Sequence, residues 1–174
     1  MDDARTFGNE SYASGNAYTG QYADDKRNGE GRMVYADGST YEGGWKDNAY
    51  HGRGRYVFGS GEHQGDVYEG AYVEGSRTGS GAYTWADGRQ YTGEWTNGVR
   101  DGQGRMTWPD GMRYEGDWVN GERHGQGSFT YTDGRVFTGT FVEGQPVEGM
   151  LAMPGEEPRP AQVVNGNFVW VEEE

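Results

Sequence analysis

The 174-residue sequence has no cysteine and no isoleucine, one leucine (Leu151) and five prolines. No run approaches the roughly 18 apolar residues that a bilayer span requires. Each absence removes a class of protein. Without cysteine there is no disulfide framework and no thiolate metal site, and the redox compartment is left open. The start Met-Asp-Asp-Ala-Arg lacks the charged-then-apolar layout of a secretory signal. The expected setting is therefore cytoplasmic, with the cytoskeleton or a membrane surface as places of attachment. Cationic charge is also short, 15 Lys+Arg against 28 Asp+Glu, for a net charge of −13. Nucleic acid as a partner needs a basic surface and is not expected, and the same deficit weighs against anionic lipid. Leu, Ile, Val and Phe together number only 20, a level that at this charge usually means disorder.

The 25 aromatic residues and 33 glycines reverse that expectation, because both are placed with a period. Tyr18, Tyr41, Tyr68, Tyr91, Tyr114 and Phe137 follow one another at 23, 27, 23, 23 and 23 residues. Aligned on them, each unit reads Y-x-G-x-W/Y, a polar turn, x-G-x-G, an apolar-x-apolar stretch and D-G. The cleanest copy is Tyr114-Glu115-Gly116-Asp117-Trp118 with His124-Gly125-Gln126-Gly127 and Asp133-Gly134.

Both halves of the unit alternate with period two, a strand signal. One face carries aromatic, Gly, aromatic (Tyr41, Gly43, Trp45; Tyr91, Gly93, Trp95) and, in the second half, Gly and large apolar residues (Gly81, Tyr83, Trp85; Gly104, Met106, Trp108). Regular glycines inside strands leave room for a neighbouring ring to lie flat on the backbone. The other face is polar, with Glu42, Glu94 and Glu115 in first strands and Arg32, Arg55 and Arg105 in second strands. Asp-Gly at Asp37, Asp87, Asp110 and Asp133 predicts tight type I′ hairpins between units. Gly75, Gly98, Gly121 and Gly144, with Asp25 and Asn48 in their place earlier, mark the turn within each unit. With every connection a local hairpin, the fold class expected is all-β: an antiparallel meander of stacked β-hairpin repeats, elongated and twisted, one layer thick.

The domain plan has three parts. Residues 1–17, with Gly8, Tyr12 and Ser14-Gly15, form an N-terminal half-repeat. Residues 18–153 hold units starting at 18, 41, 68, 91, 114 and 137; the last lacks paired glycines and has a second strand over residues 149–153. Residues 154–174 form a cap in which Pro154, Pro158 and Pro160 break the pattern, a small hairpin turns at Asn165-Gly166, and Glu172-Glu173-Glu174 is an acidic tail.

The spacing Y-x-G-x-W-x-x-G-x-x-H-G-x-G with its closing D-G resembles the MORN repeat (membrane occupation and recognition nexus) over residues 18–149. Departures are a four-residue insertion around Gly59 to Gly65, Asn28, Thr78 and Asp101 in place of the family His, and Tyr22 and Tyr72 in place of the family Trp. The resemblance implies a single-layer sheet with an aromatic groove, generally non-enzymatic, of the kind found in cytoskeletal and membrane-junction scaffolds.

No catalytic, cofactor or metal constellation emerges from the residues. The G-x-G pairs precede no helix and lack the G-K-[ST] ending of a phosphate loop. Asp-Gly turns lack calcium-loop spacing, and His51 and His124 share a turn slot that other copies fill with Asn, Thr or Asp. The expectation is a non-enzymatic interaction scaffold whose aromatic face takes a partner helix or extended peptide, basic in view of the net charge. Its candidate residues are Tyr41, Trp45, Tyr68, Trp85, Tyr91, Trp95, Trp108, Tyr114 and Trp118. Homodimerisation through an unpaired end strand is the second use, with the prolines and the acidic tail as brakes at the C-terminal edge. The alternative is a peripheral module for phosphoinositide-type lipid, binding through Lys26, Arg27, Arg77, Arg100 and Arg123 in equivalent turns.

Overall fold

The structure is a computed structural model and describes residues 6–171. These form fifteen strands and no helix. They are β1 (Thr6–Ser11), β2 (Ala17–Ala23), β3 (Lys26–Val34), β4 (Thr40–Lys46), β5 (Ala49–Val57), β6 (Val67–Val73), β7 (Ser76–Thr84) and β8 (Gln90–Thr96), then β9 (Val99–Thr107), β10 (Arg113–Val119), β11 (Glu122–Thr130), β12 (Val136–Val142), β13 (Gln145–Ala152), β14 (Arg159–Val164) and β15 (Asn167–Trp170). In the sheet each strand neighbours the one before and the one after it, a pure meander. The chain divides into two compact units, residues up to 87 with 95–98, and residues 88–94 with those from 99 onward.

The first unit shows how the repeat specifies its register. On β4, Tyr41 sits opposite Met33 on β3 and Tyr56 on β5, and Gly43 opposite Gly31 and Gly54. One residue further the ladder with β5 shifts, because Trp45 pairs with Tyr50. The extra residues of β5 form a bulge around Gly52, whose φ of +75° is a left-handed conformation that glycine adopts at no steric cost. The second glycine of the pair serves a different need. A Cβ on Gly54 would fall 2.5 Å from Cε2 and Cζ of Tyr41, because that ring lies flat on the Gly54 backbone. The same bulge and the same ring-on-glycine contact recur at Gly29 and Gly31 and at Gly79 and Gly81.

The second unit repeats the scheme. Gly102 and Gly125 take the left-handed bulge position, with φ of +105° and +66°. Tyr91 lies on Gly104 and Tyr114 on Gly127. Both units thus build a core one ring deep on one side of a sheet, from Tyr18, Tyr41 and Tyr68 in the first and Tyr91, Tyr114 and Phe137 in the second, each with 0% exposure.

The turns divide differently from the Asp-Gly expectation. The tight I′ turns are those within the repeats: Asp24-Asp25, Asp47-Asn48, Glu74-Gly75, Asn97-Gly98, Asn120-Gly121 and Glu143-Gly144 have positive φ at both residues. At Asp37-Gly38, Asp110-Gly111 and Asp133-Gly134 only the glycine does. There the glycine amide closes a type I turn onto Tyr35, Trp108 or Tyr131, and the aspartate carboxylate accepts the amide two residues on (Ser39, Met112, Arg135). In this type I frame Pro109 occupies the first central position, for which its fixed φ is suited.

The C-terminal prolines do not stop the sheet. Pro160 lies inside β14 opposite Met150, its carbonyl accepts the Val171 amide, and β15 adds a further strand. The sixth unit's second strand also begins four residues earlier than the sequence suggested, at Gln145. Glu172-Glu173-Glu174 lies outside the described residues.

The ring-on-glycine contact has a direct test. At Gly104 a Cβ would meet the Tyr91 ring at 2.5 Å, and a core ring cannot swing away as a flexible chain end could. Gly104→Ala should lose about 3 kcal/mol, the upper part of the usual overpacking range, in a urea melt. Thr92→Ala, at an exposed position, should change it by less than about 0.5 kcal/mol. Equal effects would mean that the glycine is not required sterically.

Candidate interaction surface

Seven of the nine aromatic residues singled out in the sequence are buried. Tyr41, Tyr68, Tyr91 and Tyr114 have no exposure, and Trp45, Trp95 and Trp118 have 4–5%. They pack edge to face, as Tyr41 on Trp45 and Tyr68 on Trp95 in the first unit and Tyr91 and Tyr114 on Trp118 in the second, with ring centroids 5.2–5.3 Å apart. Their polar ends are also satisfied. The phenols of Tyr41, Tyr68, Tyr91 and Tyr114 donate to the carbonyls of Gly44, Ala71, Glu94 and Asp117 at 2.8–3.1 Å. The indoles of Trp45, Trp95 and Trp118 donate to Gly31, Gly81 and Gly104 at 3.1–3.2 Å. Alternation showed which face these rings share. It did not show that first-strand rings lie flush on glycine and close over one another.

Trp85 and Trp108 differ, being half-buried. They belong to a slot just before each inter-unit turn that is aromatic in the half-repeat and in the first five units: Tyr12, Tyr35, Phe58, Trp85, Trp108 and Tyr131, at spacings of 23, 23, 27, 23 and 23, whereas the unit starting at Phe137 has Met153 there. All six are half-buried. The turn fixes each ring by clamping its backbone: the Phe58 amide donates to Asp66 and the Gly65 amide returns to Phe58, and Trp108 is held in the same way by Met112 and Gly111. In the first unit Tyr35, Tyr56, Phe58, Tyr83 and Trp85 form a chain of rings with centroids 4.6–6.2 Å apart. In the second, Trp108, Phe129, Tyr131 and Phe168 do so at 4.6–5.9 Å. Of the six slot residues only the two tryptophans had been singled out. The signal for the other four was the same 23-residue period read one slot later.

Beside the second row is a cleft of about 410 Å³, lined by Tyr131, Arg123, Arg135, Val163 and Phe168. Phe168 comes from β15 and stands 5.3 Å from Phe137, so the C-terminal hairpin forms one wall. Among the described residues no three His, Asp or Glu side chains group as metal ligands.

The cationic edge expected for anionic lipid is not supported. Arg77, Arg100 and Arg123 are half-buried, and each donates from Nη2 to the turn carbonyl of the next repeat: Gly98 at 3.1 Å, Gly121 at 2.6 Å and Gly144 at 2.5 Å. Each guanidinium also lies over a core ring, as Arg77 over Trp95 at 4.8 Å and Arg100 over Trp118 at 4.5 Å. Burial lowers the pKa of Arg100 and Arg123. Arg27 caps Asn48 in the same manner, and Lys26 pairs with Asp47 at 3.0 Å. The arginines staple one repeat to the next with their charge directed inward, and the exposed Lys26 makes its pair at the surface.

The model of the family described as "MORN repeat" matches residues 18–40, 41–63, 68–88, 91–113 and 114–134. The chain belongs to the MORN repeat family. The degraded sixth unit at Phe137 falls outside the matched segments, although β12 and β13 continue the sheet there. No curated protein matches this MORN chain. Among solved structures it is similar to the SAS-4 (dCPAP) TCP domain of Drosophila melanogaster, in complex with a proline-rich motif of Ana2 (dSTIL). That similarity has a TM-score of 0.55 and 15% identity, over 92% of this chain and 84% of that one. It also matches the wild-type TCP10 domain of Danio rerio CPAP, at TM-score 0.27 and 16% identity, over 94% and 81% of the two chains. At these identities the first likeness concerns the fold alone.

The buried phenols should make this MORN array sensitive to alkali. Desolvation by burial pushes Tyr18, Tyr68, Tyr91 and Tyr114 up to about 12, from an ordinary value of 10.0. The folded pKa lies above the unfolded one, so the stabilisation is full below pH ~10 and is lost as pH rises through about 12. Phenolate absorbance and circular dichroism followed together should change in one cooperative step in that window. Phenols that titrate near 10 with the sheet intact would contradict the burial.

Proposed function

We propose that this protein is a non-enzymatic interaction scaffold that docks a proline-rich, basic segment of a partner protein on the half-exposed aromatic row of each unit. The observation that carries this is the single repeat slot filled by Tyr12, Tyr35, Phe58, Trp85, Trp108 and Tyr131, aromatic in six of its seven copies and half-buried in each of the six. A core needs large apolar side chains, and the buried tyrosines and tryptophans already supply them. A further, partly open ring in six of the seven copies is more than packing requires. Rings held by turn backbones form the kind of preformed aromatic groove that receives a polyproline II segment at low entropic cost. A net charge of −13 favours a basic partner by steering. The proline-rich motif carried by the SAS-4 TCP domain, a similar fold, is consistent with this choice.

Titration with a synthetic proline-rich peptide carrying Arg or Lys, followed by tryptophan fluorescence and calorimetry, tests the proposal. Trp85→Ala and Trp108→Ala should each weaken binding by about tenfold or more, as loss of an aromatic anchor does, while the melting transition stays. Binding unchanged in both variants, or undetectable in the parent chain, would reject it.

Self-association through β1 is a second reading, favoured by Phe7. This residue is 72% exposed on a strand whose only neighbour among the described residues is β2. The equivalent position in later second strands is Glu30, Arg53, Ser80, Gln103 and Gln126, polar every time. An apolar side chain on an open edge invites strand pairing with a second copy. Sedimentation equilibrium should find a dimer that Phe7→Glu converts to monomer; a monomeric parent chain would dismiss this reading.

A further inference from the structure

Of the four Asn-Gly pairs, three form I′ turns, Asn97-Gly98, Asn120-Gly121 and Asn165-Gly166, and the fourth, Asn28-Gly29, lies within β3. The backbones of the three turns are nearly superposable in conformation. The asparagine φ values are 49°, 50° and 50°, and the glycine values are 85°, 85° and 79°. All three asparagines are exposed. What separates them is the glycine amide. Gly98 donates its N–H to the Arg77 carbonyl at 2.8 Å, and Gly121 to the Arg100 carbonyl at 2.9 Å. The same arginines reach back with their guanidinium groups to the Gly98 and Gly121 carbonyls, so each of these glycines is clamped on both sides. The third pair lies past the last arginine staple, in a hairpin whose second strand, β15, ends the sheet. Among the described residues the Gly166 amide has no hydrogen-bond partner, and no other atom comes within 4 Å of a Cβ built there.

We infer that Asn165 is a site of spontaneous covalent modification, and that the repeat architecture protects the two other Asn-Gly turns from the same reaction. The Gly166 amide nitrogen gives up its proton to base and attacks Cγ of Asn165. The new N–Cγ bond closes a five-membered succinimide, and the side-chain nitrogen takes up a proton and leaves as ammonia. Water then opens the ring at either carbonyl, giving aspartate or isoaspartate at position 165. No oxidant, enzyme or cofactor is needed. At Gly98 and Gly121 the proton that must be lost is held in a hydrogen bond and the nitrogen is pinned to the preceding repeat, so the attack is suppressed.

The isoaspartate product inserts one side-chain carbon into the backbone, and a two-residue loop cannot keep I′ geometry with the added methylene. β15 carries Phe168, which stands 5.3 Å from Phe137 and 5.9 Å from Tyr131. Modification therefore acts on the hairpin that walls the cleft beside the second aromatic row, and slowly loosens that end of the array.

The full chain incubated in mildly alkaline buffer, then digested and mapped by mass spectrometry with isoaspartate resolved from aspartate, reads the rate at each asparagine. In denaturant the three sites should react at comparable rates, since Gly follows each. In the native protein Asn165 should react about tenfold or more faster than Asn97 or Asn120, the factor that one withheld hydrogen bond supplies. Asn165→Ser should remove the fast phase and leave the other two sites unchanged. Native rates at Asn97 or Asn120 equal to that at Asn165 would overturn the inference. So would an unmodified Asn165 over a period in which the unfolded chain converts.

Discussion

The structure rests on one close approach, a tyrosine ring lying flat on a glycine of the adjacent strand. In a single-layer sheet nothing covers the backbone from above, so a core must be made by laying side chains down along the sheet. Glycine opposite glycine, as at Gly43 with Gly31 and Gly54, lets the backbones and the ring come together without a Cβ between them. The ring then hides the strand, and its hydroxyl reaches past the strand edge to a carbonyl three residues on. Because the phenol is satisfied there, the ring can be fully buried without the penalty of an unpaired polar group. Phenylalanine serves only at Phe137, where that carbonyl bond is given up.

From that contact the remaining interactions follow in sequence. A ring lying down exposes its edge, which receives the face or edge of the first-strand Trp in the same or the next repeat, and the indole N–H finds a carbonyl. The guanidinium of Arg27, Arg77 or Arg100 then covers the indole and ties off the next turn. Each repeat is completed by groups from its neighbour, so stability within each unit is that of a stack. Tyr50 takes the arginine slot in the second copy and stacks on Tyr41 with centroids 3.8 Å apart. A stacked ring covers the same surface, which shows that coverage of the aromatic core is the property this slot supplies.

Most of the fold was legible because its determinants are local and periodic. Tyr, Gly and Trp at fixed offsets specify the face, the register and the count of hairpins without reference to distant residues. The misreadings have a common origin: a residue type with two roles. Asp-Gly closes a I′ hairpin and equally a type I turn followed by a left-handed glycine, and the second forms whether Ala36, Pro109 or Thr132 precedes it, so the dipeptide alone does not choose between them. Arginine at a turn can face solvent or lie on a ring. Its place 21 residues before a turn residue was visible in the sequence, but the meaning of that spacing depends on how far one turn stands from the next. Proline ends most strands, yet Pro160 is accommodated in β14 opposite Met150.

The candidate surface was only partly legible for a similar reason. Period-two alternation assigns a side chain to a face and says nothing about depth within it. Tyr91 and Trp108 share a face, and the first has no exposure while the second is half-buried. Depth is set by position along the strand. Rings near the middle have glycine beneath them and neighbours on both sides, whereas the ring beside each inter-unit turn has a neighbour on one side and the turn on the other. A row of partly open rings is thus a necessary product of the repeat, wherever that slot is aromatic. The slot need not be aromatic for folding, however, since the turn clamps backbone atoms that any residue provides. That it holds Tyr, Phe or Trp in six of its seven copies, with Met153 in the last, is a property beyond folding, and it is the strongest single indication in this molecule of a surface kept for a partner.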